Sequence, residues 1–306
     1  MDNAQSYREN LDNLKAAMHD VLGYAPPNLV DSGQLIRFDT DKPRNKTGWY
    51  VLHRLSTGGL VATFGDWKQR ISHKWTSYDQ TKLSKTERDA IKAEQRKQAA
   101  ILRADTEQKH ETARLKAVDL WIKAKPASTA HAYLMKKQVG AYGVKQLGKL
   151  LLLPLLDING YLRNIQAITP DGTKRFLKGG IAHGVFVPIG TLQGAKRAYL
   201  CEGYATGASL YEAYNEPVIC ALFAGNLLHV AQAIRAKYPT LPLILVADND
   251  RLTAQKTGVN VGVSKAKAVA DTVALVTVLI PEFDDNAPLS LTDFNDAVNY
   301  YRAHAA

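Results

Sequence analysis

Cysteine is nearly absent from the chain: its 306 residues hold two, Cys201 and Cys220. Both sit in short apolar runs. They fit buried thiols better than a disulfide or a zinc site, because structural zinc usually takes four Cys or His ligands in close pairs. Long hydrophobic runs are missing too. The longest, Leu150 to Leu156, is interrupted by Pro154 and falls well short of the roughly 18 residues that cross a bilayer. The first ten residues are polar and hold no signal-peptide core, so a cytoplasmic protein with no membrane partner is expected. No Gly-x-x-x-x-Gly-Lys-Ser/Thr segment occurs, which excludes a P-loop motor from the sequence. Acidic residues are outnumbered, 29 against 39 Lys and Arg, for a net charge of +10. Such an excess favours polyanionic partners, nucleic acid before membrane surface, although solubility alone would also be served by it.

What is present is a foldable chain. Hydrophobic residues make up 46%, enough for a substantial core, and the length accommodates two domains of ordinary size. Residues 1–24 carry Leu11, Leu14, Met18, Val21 and Leu22 at helical spacing, and Pro26-Pro27 closes that segment. Residues 33–78 read as a small β-rich module, with strands at Trp49–Leu52 and Leu60–Phe64. Within 35–75, eight Lys/Arg stand against three Asp, and three of the four tryptophans, Trp49, Trp67 and Trp75, lie there. Interleaved cations and aromatics suit single-stranded nucleic acid, with Arg37, Arg44, Lys46, Trp49 and Trp67 as candidate contacts. The competing reading makes the same aromatics the core of a small module.

Ser84 to Lys125 contains neither Gly nor Pro and opens on the capping-box pattern Ser84-x-x-Glu87. One long solvated helix or two is expected, docking by its C-terminal end through Leu115, Val118, Leu120, Trp121 and Ile122 and acting as a spacer. Straight, it would span about 60 Å at 1.5 Å per residue, so a break or fold-back is expected within it. From Pro126 the texture changes. Leu150–Leu156, the turn Asp157–Gly160, Tyr161–Thr169 and the turn Pro170-Asp171-Gly172 form an antiparallel series. Four apolar runs follow at Ala198–Cys201, Val218–Leu222, Leu243–Ala247 and Leu275–Ile280, separated by helix-like segments. The expected fold class is α/β, with a mostly parallel sheet flanked by helices.

Carboxylates fall where such a sheet places its chemistry. Glu202 directly follows the first run, and Asp248 and Asp250 follow the third. Ligands of open α/β sheets bind at the carboxyl ends of the strands. Carboxylates gathered there repel one another unless a cation joins them, and oxygen-only ligands suit Mg²⁺ or Mn²⁺ rather than zinc. Helix capping is the bland reading of Asp-x-Asp alone. Glu-Gly after one strand with Asp-x-Asp after another is more specific.

Glu202-Gly203 with Asp248-Asn249-Asp250 resembles the TOPRIM motif of primases, topoisomerases and related nucleases. The flanking segments Leu152–Gly160, Asn164–Ile168, Pro170–Gly180, Leu200–Leu210 and Leu291–Asp296 resemble the catalytic core of plasmid and phage primases, of the bacterial DnaG-like type, over about residues 126–300. The resemblance implies a DNA primase, a nucleotidyltransferase that makes short primers on single-stranded DNA. Glu202, Asp248 and Asp250 would bind Mg²⁺ or Mn²⁺. Lys174, Arg175 and Lys178, and Lys149 beside them, would meet template or nucleoside triphosphate. Asp293 and Asp296 would complete the acidic site or cap the last helix, with a cap favoured for one of them. It further implies a bacterial or phage-infected host cell and a replicative helicase or other replication protein acting in trans.

The implied layout is an N-terminal basic and aromatic module at 1–83, a helical linker at 84–125, a mixed α+β primase-core subdomain at 126–194 and a TOPRIM domain at 195–306. Two features depart from housekeeping bacterial primases. Thr206 stands where they carry an aspartate four residues after the glutamate, and there are too few cysteines for a zinc-ribbon. A TOPRIM nuclease and a non-catalytic replication adaptor or inhibitor remain the alternatives. The basic segment before Glu202 argues against the first, and the intact carboxylates against the second.

Overall fold

The computed structural model describes residues 3–55, 58–69, 71–78 and 85–305. They divide into two compact units, Met1–Asp105 and Thr106–Ala306.

The first unit opens with helix α1 (Asn3–Leu22). An antiparallel sheet follows, β1 (Ile36–Phe38), β2 (Gly48–Arg54), β3 (Leu60–Asp66) and β4 (Ile71–Thr76), in sequence order. The helical stripe read from the sequence is the buried one: Leu14, Met18 and Leu22 pack with Tyr50, Leu52, Leu60, Ala62 and Phe64. Alternation along β2 and β3 puts these residues on the face that meets α1 and Trp49, Val51, Val61 and Thr63 on the other. The tryptophans therefore divide. Trp75 packs against the core, while Trp49 lies on the outer face and Trp67 is 46% exposed. The reading that made all of them core residues fails for these two.

Helix α2 (Lys85–Lys123) runs for 39 residues without interruption. The expected break is absent, because Ala, Lys, Glu, Gln and Arg are strong helix formers and no Gly or Pro interrupts the ladder. Ser84, the first residue of the expected capping box, lies outside the described residues. The end of α2 docks mainly through small side chains: Ala117 and Ala124 are buried with Leu152 and Ile165, and Leu120 and Trp121 pack beside them. Leu115 and Ile122, expected to dock, are 57% and 73% exposed.

The rest of the second unit holds two sheets. Strands β5 (Lys125–Pro126), β6 (Lys145–Leu147), β7 (Leu150–Leu156), β8 (Leu162–Ile168) and β9 (Lys174–Phe176) form an antiparallel sheet in that order, with the short helix α3 (Ala132–Lys137) between β5 and β6. Pro154 is tolerated inside β7 because β6 pairs only with Leu150–Leu152, leaving β8 as the partner at the proline. Strands β10 (Val187–Ile189), β11 (Ala198–Cys201), β12 (Val218–Cys220), β13 (Leu243–Val246) and β14 (Val276–Leu279) form the second sheet, ordered β10-β12-β11-β13-β14. All its pairs are parallel except β10 with β12.

Helix α4 (Tyr204–Tyr214) packs on one face of this sheet, in the core it shares with β7 and α3. Helices α5 (Leu227–Lys237) and α7 (Val261–Thr272) cover the other face. Helix α6 (Arg251–Thr257) follows β13, and α8 (Phe294–His304) closes the chain beside α4. No helix of the described residues is long and apolar enough to cross a membrane.

Candidate active site

The chain leaves β11 through α4 to β12 on one side, then returns through α5 to β13 on the other. The gap between the carboxyl ends of β11 and β13 is therefore a topological switch point, where loops diverge and a crevice opens. Cys201 pairs with Val246 there. Glu202 is the next residue on the first strand, and Asp248 lies two residues beyond Val246 on the second.

Among the described residues no hydrogen bond reaches the carboxylate of Glu202 or Asp248, so neither acts as a helix cap. Both are partly buried. The Asp248 carboxyl is raised to about 7, first by burial and then by repulsion from Glu202, Asp293, Asp250 and Asp296. Burial also raises Glu202, opposed by Lys265 and Lys174 and assisted by Asp250. These effects put Asp248 within electrostatic reach of Glu202, Asp250, Asp293 and Asp296.

Asp250 is held differently. It occupies the cap position of α6 without capping it, and its Oδ2 accepts the Gly262 N–H of α7 at 3.1 Å. The capping reading is thus partly right for this residue. Asp293 and Asp296 form a reciprocal capping box at the start of α8. A cap was expected for one of the two, and both take part. Asp293 is nevertheless raised by burial and by Asp296, against the Asp296 N–H, Lys137 and the Thr206 hydroxyl. Thr206, in place of a further aspartate, is buried and supplies a hydrogen bond to Asp293 rather than a charge.

The loop bearing the aspartates is braced by residues that spacing did not single out. Asn249 donates through Nδ2 to the Pro281 carbonyl at 3.0 Å and accepts from Asn260 Nδ2 at 2.8 Å. Asn260 Oδ1 accepts the Asp250 N–H at 3.2 Å while capping α7 through the Val263 N–H. At Gly262 an added Cβ would stand 2.2 Å from the Asp248 carbonyl oxygen, so only glycine lets α7 abut this strand end. The cue was the Asn-x-Gly step at 260–262, legible only once α7 is known to start there.

Of the predicted cations, Lys174 is the one brought to the carboxylates. Its residue is exposed, but protein atoms crowd the ammonium, which lies 5.8 Å from the centre of the Tyr133 ring. Crowding and the nearby Lys137 lower its pKa, and Asp293, Glu202 and Asp248 partly restore it. Arg175 and Lys178 are exposed beside it, and Lys149 is exposed in the β6–β7 turn. Sequence reasoning missed Lys137, whose Nζ lies 3.4 Å from Asp296 Oδ1, and Lys265. It also missed Tyr133, whose buried hydroxyl has no hydrogen-bond partner among the described residues.

As the side chains lie, no three His, Cys, Asp or Glu of the described residues are gathered closely enough to hold a metal ion. The donor set nonetheless fits a hard divalent cation. It offers oxygen only, and Glu202 and Asp248 are raised by burial and by neighbouring carboxylates, a repulsion that a cation would relieve.

The first unit gathers the other predicted residues. Trp49 and Trp67 stack with ring centres 5.6 Å apart. The Arg37 guanidinium lies 4.6 Å over the Trp67 ring, and its Nε donates to the Lys46 carbonyl at 3.1 Å. Arg44 and Lys46 are exposed in the same β1–β2 loop.

No protein-family profile matches the chain. Curated relatives do. The chain is 30% identical over 252 residues to a DNA primase TraC of Escherichia coli, an alignment covering 80% of this chain and 24% of that protein. It is 36% identical over 154 residues to a second Escherichia coli DNA primase TraC, covering 48% and 11%. The resemblance to plasmid-type primases read from the motifs is borne out by these relatives, and the chain spans about a quarter of the length of the first and less of the second. Among solved structures, the DnaG catalytic core aligns with a TM-score of 0.39 at 13% identity, over 65% of this chain and 78% of that one.

Proposed function

We propose that the chain is the catalytic part of a DNA primase of the plasmid or phage type, and that the sheet β10–β14 is its TOPRIM sheet. The observation that carries this reading is the pair Glu202 and Asp248. Both stand at the switch point on adjacent parallel strands, free of side-chain hydrogen bonds among the described residues, and raised by burial and by a neighbouring carboxylate, Asp250 acting on Glu202 and Glu202 on Asp248. The similarity to the two primases supports it. In this reading residues 126–194 and 195–306 form the primase core, with 84–125 as spacer and 1–83 as an accessory module.

Glu202, Asp248 and Asp250 would hold Mg²⁺ or Mn²⁺, which when bound supplies charge neutralisation to the attacking and leaving oxygens of nucleotidyl transfer. Lys174 lies within electrostatic reach of Glu202 and Asp248 and would meet the triphosphate of an incoming nucleotide, with Lys137 and Lys265 adding positive charge. Arg175, Lys178 and Lys149 lie farther out and suit the template backbone. Asp293 and Asp296 fix the start of α8 and add negative charge to the cleft. Asn249, Asn260 and Gly262 hold the backbone of the aspartate loop, so a ligand has only to draw the carboxylate side chains together. A helicase or other replication protein would supply unwinding in trans.

Incubating the protein with single-stranded DNA, labelled nucleoside triphosphates and Mg²⁺ or Mn²⁺ tests this. New short products support the reading. Shortened template without synthesis supports a nuclease, and neither outcome leaves a binding adaptor.

A further inference from the structure

The outer face of the β1–β4 sheet has the construction of a ligand surface. β-Pairing sets Arg37 opposite Trp49 and Trp49 opposite Gly65. The missing side chain at Gly65 makes room for the indole: an added Cβ there would lie 2.8 Å from the Trp49 ring. Trp67 stacks on Trp49 and carries the Arg37 guanidinium over its ring. Its position is fixed from beneath. Asp66 is buried and accepts the Lys68 N–H at 2.6 Å, the Gln69 N–H at 3.1 Å, the Thr47 hydroxyl at 3.0 Å and the Tyr24 hydroxyl. The Trp67 N–H donates to the Thr47 carbonyl at 3.1 Å.

The β1–β2 loop is built with similar care. Arg44 and Lys46 both adopt positive φ, 65° and 40°, a conformation that non-glycine residues rarely hold without compensation. The Asp39 carboxylate supplies that compensation by accepting both of their backbone N–H groups, at 2.9 and 3.1 Å.

The acids of this region are thus occupied internally, Asp39 and Asp66 by these hydrogen bonds and Asp41 by Lys68 at 3.0 Å. Four of the cations have no acidic partner among the described residues. Arg37, Arg44, Lys46 and Lys74 are exposed, and among the described residues none forms an ion pair. Lys74 shares the outer face, since it pairs with Thr63, which pairs with Val51.

We propose that this face binds single-stranded DNA, a base extending the Trp49–Trp67 stack by taking the place of the Arg37 guanidinium over the Trp67 ring, and the phosphates meeting the displaced Arg37 with Arg44, Lys46 and Lys74. Pre-stacked rings accept any unpaired base because every base has a π-face, whereas a duplex keeps its bases stacked inside. Net positive charge beside the rings matches a phosphate backbone and repels a basic protein surface. The choice of DNA over RNA rests on the primase reading. The binding itself does not, because it requires neither nucleotide nor metal.

The test uses the whole chain, without triphosphates or divalent cations. Tryptophan fluorescence is titrated with oligo(dT), oligo(U) and a DNA duplex of equal length. Oligo(dT) should quench the emission and bind more tightly than duplex. Trp67→Ala should weaken oligo(dT) binding roughly fivefold to a hundredfold, the range for loss of a stacked base, and Trp67→Phe should retain most of it. The exposed triple change Arg37→Ala, Arg44→Ala and Lys46→Ala should lower the salt slope by about 2, at about 0.7 per phosphate contact on a single strand. Binding of oligo(dT) with wild-type affinity and salt slope by both the Trp67→Ala and the triple variant overturns the proposal. So does tighter binding of duplex than of oligo(dT), or binding of oligo(U) alone. A chain that binds here yet makes no primers keeps this surface and refutes the primase reading. Synthesis with no binding here does the reverse.

Discussion

Replacing Asp248 by Asn should stabilise the metal-free protein while removing its activity. The Asp248 carboxyl is raised from 3.8 to about 7 by burial and by its acidic neighbours. The folded state therefore holds this proton through the range in which the unfolded chain releases it. Below about pH 4 both states are protonated and the aspartate carries no penalty. As pH rises from about 4 to about 7 the wild type loses stability, and above that the loss is complete. At about 1.4 kcal/mol per pH unit, the gap corresponds to an upper bound of about 4 kcal/mol. Solvent at this partly open site reduces it, and about 2 kcal/mol is expected.

Asn keeps the shape without the charge. Its thermal midpoint at pH 8 in a chelator should exceed that of wild type by about 4–8 °C, for a unit of this size, and the two should converge near pH 4. Adding Mn²⁺ should raise the wild type more than the variant, because only a ligand bound by the folded state stabilises it. Scanning calorimetry across pH gives the answer. A variant less stable than wild type at pH 8 without metal, or a difference independent of pH, would mean that Asp248 is a structural partner and not a member of a repelling cluster.

Other substitutions probe the frame and the cations. Gly262→Ala drives a Cβ to within 2.2 Å of the Asp248 carbonyl and should cost about 1–3 kcal/mol, with lost synthesis, by urea unfolding and primer assay. Asn260→Ala removes the acceptor of the Asp250 N–H and the partner of Asn249. It should lower the midpoint by about 1 kcal/mol equivalent and reduce synthesis more than DNA binding. Lys174→Ala should raise the KM for nucleoside triphosphate while leaving thermal stability within about 1 kcal/mol of wild type, since its ammonium is crowded and not ion-paired. Unaltered nucleotide kinetics would place Lys174 outside the substrate path.

Much of the site was legible because strand-end position is a local property. Ala198–Cys201 and Leu243–Val246 are short β-prone runs between turn and helix signals, so Glu202 and Asp248 could be assigned to strand ends before any pairing was known. That the two strands are neighbours depends on the return of α5 across the sheet, a long-range fact that no single run encodes. The same limit hid Lys137 and Lys265. Each sits in an ordinary solvated helix pattern, and only packing turns it toward the carboxylates. In the β-rich module, alternation alone could have separated Trp49 from Tyr50 and Leu52. Trp67 lies in a turn, where periodicity is silent, and its place was fixed by the buried Asp66. The uninterrupted α2 was implied by its own composition. The expected break came from a distance argument, and local helix propensity outweighed it.

The primase reading rests on the assignment of Glu202 and Asp248 together as the catalytic centre. It is tested most directly by comparing primer synthesis on single-stranded DNA, with Mg²⁺ or Mn²⁺, for the wild type, Glu202→Gln, Asp248→Asn and the exposed control Asp171→Asn, each first shown to be folded by circular dichroism. Short products are expected from the wild type and Asp171→Asn, with a loss of at least about a hundredfold in both site variants. Undiminished synthesis by folded Glu202→Gln or Asp248→Asn would contradict that assignment.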